Sequence, residues 1–242
     1  MKITTHGAYL TQLTRLTFVN CFLVREDDGF TLVDTGMSGS AKDIIKAAQD
    51  FGAPIRRIAL THAHIDHVGS LDALHALLPE AEVLITARDA RFMKGDKSLD
   101  ADEPQDQLRG GYPLCTTEPT RFIKHGDKVG SLEVVASPGH TPGHVAFFDQ
   151  RDQTLIAGDA YSNKFGVTTA GTLRLLFPFT AMAIWSKLTA LQSAEALYAR
   201  KPSRLAVGHG KVVEQPLQAM ERAIDEASRS IKGQPYAAKK TY

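Results

Sequence analysis

The spacing of apolar positions changes several times along the chain, and each change predicts an element. Residues 16–24 and 30–33 read as two strands joined by the turn Glu26-Asp27-Asp28-Gly29, a hairpin. Ser40 can cap a helix whose apolar positions Ile44, Ala47, Ala48 and Phe51 recur at helical spacing until Gly52 and Pro54 stop it. The run Ile58-Ala59-Leu60 reads as a strand, and Val68, Leu71, Leu74 and Leu78 as the apolar face of a helix from Asp66 to about Leu78. Residues 82–85 return as a strand. Alternation of this kind predicts an α/β architecture.

Residues 95–120 break the rhythm. Gly95, Pro104, Gly110, Gly111 and Pro113 mark a polar insertion, read as a lid or as a mobile surface loop. Strands resume at 122–124, 132–135, 145–148 and 154–157. From Tyr161 to Phe179 the chain is apolar without a period. It reads as core, as a subunit interface or as a substrate-binding wall, and Tyr161, Phe165 and Phe177 are the residues proposed for such a wall. Two amphipathic helices follow: one carries Ile184, Leu188, Leu191 and Tyr198, the other Leu217, Met220, Ile224, Ala227 and Ile231. Between them 205–208 is a short strand, and residues 234–242 read as a frayed tail.

Composition narrows the function classes. The chain has 242 residues, enough for one large α/β domain, and a formal net charge of +1, which gives no global attraction to nucleic acid. Cys21 and Cys115 form no disulfide framework and lack metal-ligand spacing. With no signal-peptide pattern and no apolar run of membrane-spanning length, a cytoplasmic protein acting on a small molecule is expected; a homodimer is left open.

The chemistry is concentrated in Thr61-His62-Ala63-His64-Ile65-Asp66-His67, directly after an apolar strand. Imidazole and carboxylate suit a borderline divalent ion such as zinc. His62 and His64, two apart in extended backbone, point the same way and can grip one ion, while Asp66 and His67 project from the first helical turn toward a second.

The order of motifs resembles that of the metallo-β-lactamase-fold hydrolases. His-x-His-x-Asp-His is followed by His140 in Ser-Pro-Gly-His-Thr-Pro-Gly-His, Asp159 in Ala-Gly-Asp-Ala and His209 in Val-Gly-His-Gly. The resemblance spans nearly the whole chain. It implies a single-domain, four-layer αβ/βα sandwich over residues 1–242. It also implies two zinc ions per chain, with iron or manganese as alternatives. The first ion would be held by His62, His64 and His140, the second by Asp66, His67 and His209, with Asp159 bridging them.

Asp34, at the end of a strand, would support the ligands by hydrogen bonding. His144 reads as a structural histidine near the site. The implied reaction is hydrolysis of a small ester or lactone by a hydroxide shared between the ions, with Asp159 fixing their spacing and Asp66 assisting proton transfer. Glyoxalase II-like thioesterase, β-lactamase, phosphodiesterase and mono-iron persulfide dioxygenase activities share this pattern. Asp34-Thr35-Gly36 also matches an aspartic protease loop, which leaves the histidines unexplained.

Overall fold

Phe22 and Val24 point to one side of a strand and Cys21 and Leu23 to the other, and all four are buried. A strand apolar on both faces must lie inside a layered structure. The computed structural model describes residues 1–174 and 182–232 and shows the layers directly. The proposed pocket residue Phe177 and the tail 234–242 lie outside the described residues.

The first sheet holds β1 (Lys2–His6), β2 (Leu10–Arg15), β3 (Val19–Glu26), β4 (Gly29–Val33), β5 (Ile55–Ala59), β6 (Glu82–Ile85) and β7 (Arg121–Phe122), in chain order. Its first four strands are antiparallel and β4 to β7 run parallel. The second sheet has the order β15 (Val213–Glu214), β14 (Arg204–Ala206), β11 (Thr154–Ile156), β10 (Val145–Asp149), β9 (Leu132–Ala136) and β8 (Lys128–Val129). A short ribbon pairs β12 (Tyr161–Ser162) with β13 (Thr168–Thr169).

The sheets face each other across Phe22, Val24, Val33, Leu84, Val134, Phe147 and Ile156. On the far side of the first sheet, α1 (Ala41–Asp50), α3 (Leu71–Leu77) and α4 (Ala87–Met93) cover Leu23, Leu32, Ile58 and Val83. On the far side of the second, α5 (Lys187–Ala199) and α6 (Leu217–Lys232) bring Leu197 and Met220 onto Phe148, Leu155 and Leu205. This is the αβ/βα sandwich that the motif order implied.

Three expectations are corrected. Residues 16–18 form a turn rather than the start of a strand: Leu16 and Thr17 have φ of 50° and 66°, so the chain reverses there, between β2 and β3. The helix expected from Asp66 to about Leu78 is two helices, α2 (Ile65–Val68) and α3. The break at Gly69-Ser70 docks on the 36–40 loop, where a Cβ on Gly69 would lie 2.7 Å from the Ser38 nitrogen and Ser70 Oγ donates to the Met37 carbonyl at 2.6 Å. Ser40 precedes α1 without capping it through its side chain; its hydroxyl donates to the Met37 carbonyl at 2.7 Å.

Candidate metal centre

Each candidate ligand follows the C-terminal end of a strand. The loop after β5 carries His62 and His64, and α2, opening from it, carries Asp66 and His67. In the second sheet the segments after β9, β11 and β14 deliver His140, Asp159 and His209. All seven converge at one edge of the sandwich, so the site is made by both sheets together.

The donors fall into two compact groups, joined by a third, His62-His67-Asp159. His62 Nε2 and His64 Nδ1 are 3.2 Å apart, and His64 Nδ1 lies 2.9 Å from His140 Nε2. Beside them, His209 Nε2 is 3.2 Å from Asp66 Oδ2, and His67 Nε2 is 3.8 Å from the same oxygen. Asp159 reaches both groups: Oδ2 is 3.3 Å from His140 Nε2 and 3.0 Å from His209 Nε2, while Oδ1 is 3.4 Å from His67 Nε2. His62-His64-His140 and Asp66-His67-His209 are each compact enough for one ion, their ligand atoms within 4.8 Å of one another. Gly208 permits this crowding, since a Cβ there would collide with Asp159 Oδ1 and come within 2.7 Å of His67 Cε1.

Outer partners fix the ring orientations. Asp34, in a left-handed conformation with φ of 62°, accepts from the Thr61 amide at 2.8 Å and from His67 Nδ1 at 2.8 Å. The Thr61 hydroxyl donates to Asp34 at 2.8 Å and therefore accepts from His62 Nδ1 at 2.9 Å. His64 Nε2 donates to the Arg109 carbonyl at 3.0 Å, and His209 Nδ1 to the Phe18 carbonyl at 3.2 Å. These bonds assign the protons to the outward nitrogens and leave the inward lone pairs available to a cation. His144 accepts the Asp159 amide on Nε2 at 3.1 Å and meets the Ser137 hydroxyl through Nδ1 at 2.9 Å, so it positions the Asp159 backbone.

Sequence reading missed Asp89. It is buried on α4 and accepts from the Ala63 amide at 2.9 Å, the Thr141 hydroxyl at 2.8 Å and the Gly143 amide at 2.8 Å. One carboxylate thus ties the His62–His64 loop to the loop of His140. The sequence did hold a signal: Thr86 caps α4 by accepting the Asp89 amide, a spacing that marks a helix start. Burial pushes the Asp89 carboxyl up to about 6, against the pull of its three donors.

The electrostatics and the unsatisfied atoms both fit a cation. His67 Nε2 and Asp159 Oδ1 are buried, face each other and have no hydrogen-bond partner among the described residues, a costly arrangement that a cation between them would relieve. Burial pushes His64 down to about 4 and holds His62 and His140 well below the usual imidazole range, so all three are neutral donors. Burial acts the same way on His67 and His209, but nearby carboxylates overcome it. Asp34, Asp159 and Asp66 raise His67 well above its ordinary value, and Asp159 and Asp66 raise His209 to about 10. The carboxylates therefore demand positive charge, which divalent ions on these ligands would supply.

Above the cluster lies a cleft of about 500 Å³. His64, Asp66, His140, Asp159 and His209 line it on one side, with Leu16, Phe18, Val19, Met37, Ile65 and Met182 around them. Gly110 and Gly111 come in from the insertion, and Gly110 fits because a Cβ at its φ of 89° would lie 2.8 Å from His64 Cε1. Two of the proposed pocket residues lie elsewhere. Tyr161 is fully buried and its hydroxyl donates to the Ala194 carbonyl at 2.8 Å, so it belongs to the core beneath α5. Phe165 is 47% exposed and does not line the cleft.

A four-layer sandwich with histidines and aspartates gathered at its strand ends is the architecture of a metallo-hydrolase. The chain belongs to the metallo-β-lactamase superfamily, whose family model matches residues 14–209. It is 44% identical over 232 residues to the uncharacterized protein YobT of Bacillus subtilis, covering 95% of this chain and all of that protein. The probable metallo-hydrolase YflN of the same organism is 28% identical, covering 85% of this chain and 83% of YflN. Among solved structures, TTHA1623 in a di-iron-bound form superposes with a TM-score of 0.64 at 26% identity, covering 88% of this chain and 97% of that one. No helix among the described residues is long and apolar enough to cross a membrane.

Proposed function

We propose that this chain hydrolyses a small ester or lactone with two divalent ions, zinc first and iron as the alternative. His62, His64 and His140 would hold one ion, Asp66, His67 and His209 the other, and Asp159 would bridge them. Two such ions, when bound, supply Lewis acidity and lower the pKa of water toward ~7. Asp66 is a quarter exposed at the cleft side of the cluster and is placed to pass a proton to the leaving group. Asp34 and Asp89 hold the donors in place, and the Arg109–Gly110 backbone closes over His64.

The observation that carries this reading is the cleft. Away from the candidate ligands its described walls are mainly aliphatic and aromatic with no lysine or arginine, which favours an apolar, uncharged group beside the scissile bond.

The test is a panel of lactones, esters, thioesters, β-lactams and phosphodiesters assayed on protein of measured metal content, with oxygen consumption followed in parallel. Esters or lactones should turn over fastest. Within an acyl series kcat/KM should rise with chain length, each buried methylene contributing up to ~0.8 kcal/mol until the cleft is full. Phe18→Ala should flatten that rise. Faster phosphodiester turnover, or oxygen uptake coupled to product, would refute the reading.

A further inference from the structure

A second depression, of about 950 Å³, opens beside the cleft and shares Leu16 with it. Its composition is the reverse of the cleft's. Lys2, Arg15, Lys164 and Lys211 line it, with no aspartate or glutamate among the lining residues. The groove also continues the site along the backbone, because Gly210 and Lys211 directly follow His209, and Asn163 bridges to Gly210.

Among the described residues these four cations have no carboxylate partner. Arg88, Arg151, Arg174, Arg200 and Arg204 elsewhere each pair with a carboxylate. None of the Lys2, Arg15, Lys164 and Lys211 side chains pairs with a described carboxylate. The Arg15 guanidinium donates to Ser40 Oγ at 3.1 Å and the Lys164 ammonium to the Thr17 carbonyl at 3.2 Å, so both are anchored by neutral groups. Two other lining groups do have carboxylates near them: the Met1 ammonium is 3.8 Å from Asp43, and His6 Nδ1 is 4.0 Å from Glu214. The near-zero net charge of the whole chain conceals this local excess. Like charges gathered without a partner repel, and an anion between them relieves the repulsion.

We infer that the groove holds a carboxylate or phosphate carried by the substrate beyond the scissile bond. The inference rests on the hydrolase reading above: the apolar cleft takes the reacting ester and the groove its charged extension.

The test uses matched esters on the metal-loaded protein, with the same acyl group and scissile bond, ending in a neutral amide, a carboxylate or a phosphate. The anionic members should have kcat/KM at least about fivefold above the neutral one, mainly through KM, with the gain shrinking as salt is raised. The carboxylate and phosphate arms show which anion is preferred. Lys2→Glu with Lys211→Glu reverses two exposed charges whose ammonium groups have no partner among the described residues, and should bring the anionic-to-neutral ratio close to one. A ratio near one in the parent, or one that survives the double substitution, overturns the groove assignment.

Turnover of none of the three esters would count against the hydrolase reading, and the groove is then decided by binding alone. Pyrophosphate, titrated calorimetrically into metal-loaded protein, should bind the parent at least about fivefold tighter than the double variant. Equal affinities overturn the inference.

Discussion

His62, His64 and His140 meet as neutral rings, whereas Asp66, His67 and His209 meet in a charged network only a few ångströms away. Burial dominates the first group and pushes its imidazoles down. Carboxylates dominate the second and push His67 and His209 up despite equal burial. The difference lies in how many carboxylates surround the rings: Asp34 backs His67, and Asp66 and Asp159 face both His67 and His209. His64 is backed by a carbonyl and His62 by a threonine hydroxyl, while His67 is backed by the Asp34 carboxylate. The same ligand type can therefore be presented as a neutral donor or as one held by charge, depending on the carboxylates around it.

Four changes should break or sharpen this contrast. The largest effect is expected from Asp159→Ala, which removes the carboxylate that lies against both groups. Turnover should fall on the order of a thousandfold or more, and metal content should drop below the about two ions per chain expected of a bridged pair. Full occupancy by elemental analysis would count against a bridging role. Asp34→Ala should weaken metal affinity by about 10- to 100-fold, with the loss concentrated at the His67 side. Equal losses at both positions in a competitive chelator titration would show that the groups are not separately supported.

The contrast should also appear with pH. An ion at the second group must displace the proton on His209, so its affinity should rise with pH by up to about tenfold per unit per proton released, below the His209 value of about 10. The first group, already neutral, should vary little above about pH 6. In the metal-free chain the sign is opposite. His209 is raised above its ordinary 6.5, so its stabilising contribution is complete below that value and is lost as pH rises toward about 10. Melting curves with and without chelator over this range should therefore slope in opposite directions, and parallel slopes would refute the assignment.

The smallest effect is expected from Asp89→Asn, which keeps the shape but replaces one acceptor oxygen by a donor facing other donors. Stability should fall by about 1–3 kcal/mol. The His62-His64-His140 position should lose metal severalfold while the His67 position changes little. Unchanged melting and unchanged metal affinity would mean that Asp89 ties nothing together.

The seven candidate ligands could be read because each lies in a short motif at the end of an apolar strand, where residue type and local backbone together predict direction. The layers could be read for the same reason: strands such as Phe22 to Val24 are apolar on both faces. Asp89 could not, because its role is defined by amides and a hydroxyl at 63, 141 and 143 that only the closed fold brings to it. Tyr161 misled because an aromatic residue near a ligand fits core and pocket equally well in sequence, and only the Ala194 carbonyl shows which it is. The turn at Leu16-Thr17 was hidden by residues that favour strands, held at positive φ by the pairing on either side.

The site draws its ligands from both sheets, and this sets when it can exist during synthesis. A nascent chain that has emerged only through the first sheet presents His62, His64, Asp66 and His67 but no more. His140 and Asp159 follow with the middle of the second sheet, and His209 arrives only after β14. Before His140 emerges neither group is complete, and before His209 the Asp66-His67 group still lacks a ligand. Tight capture is thereby postponed until the two halves have closed, so the ion that is kept is chosen by the finished geometry rather than by whichever metal the unfolded ribbon first encounters.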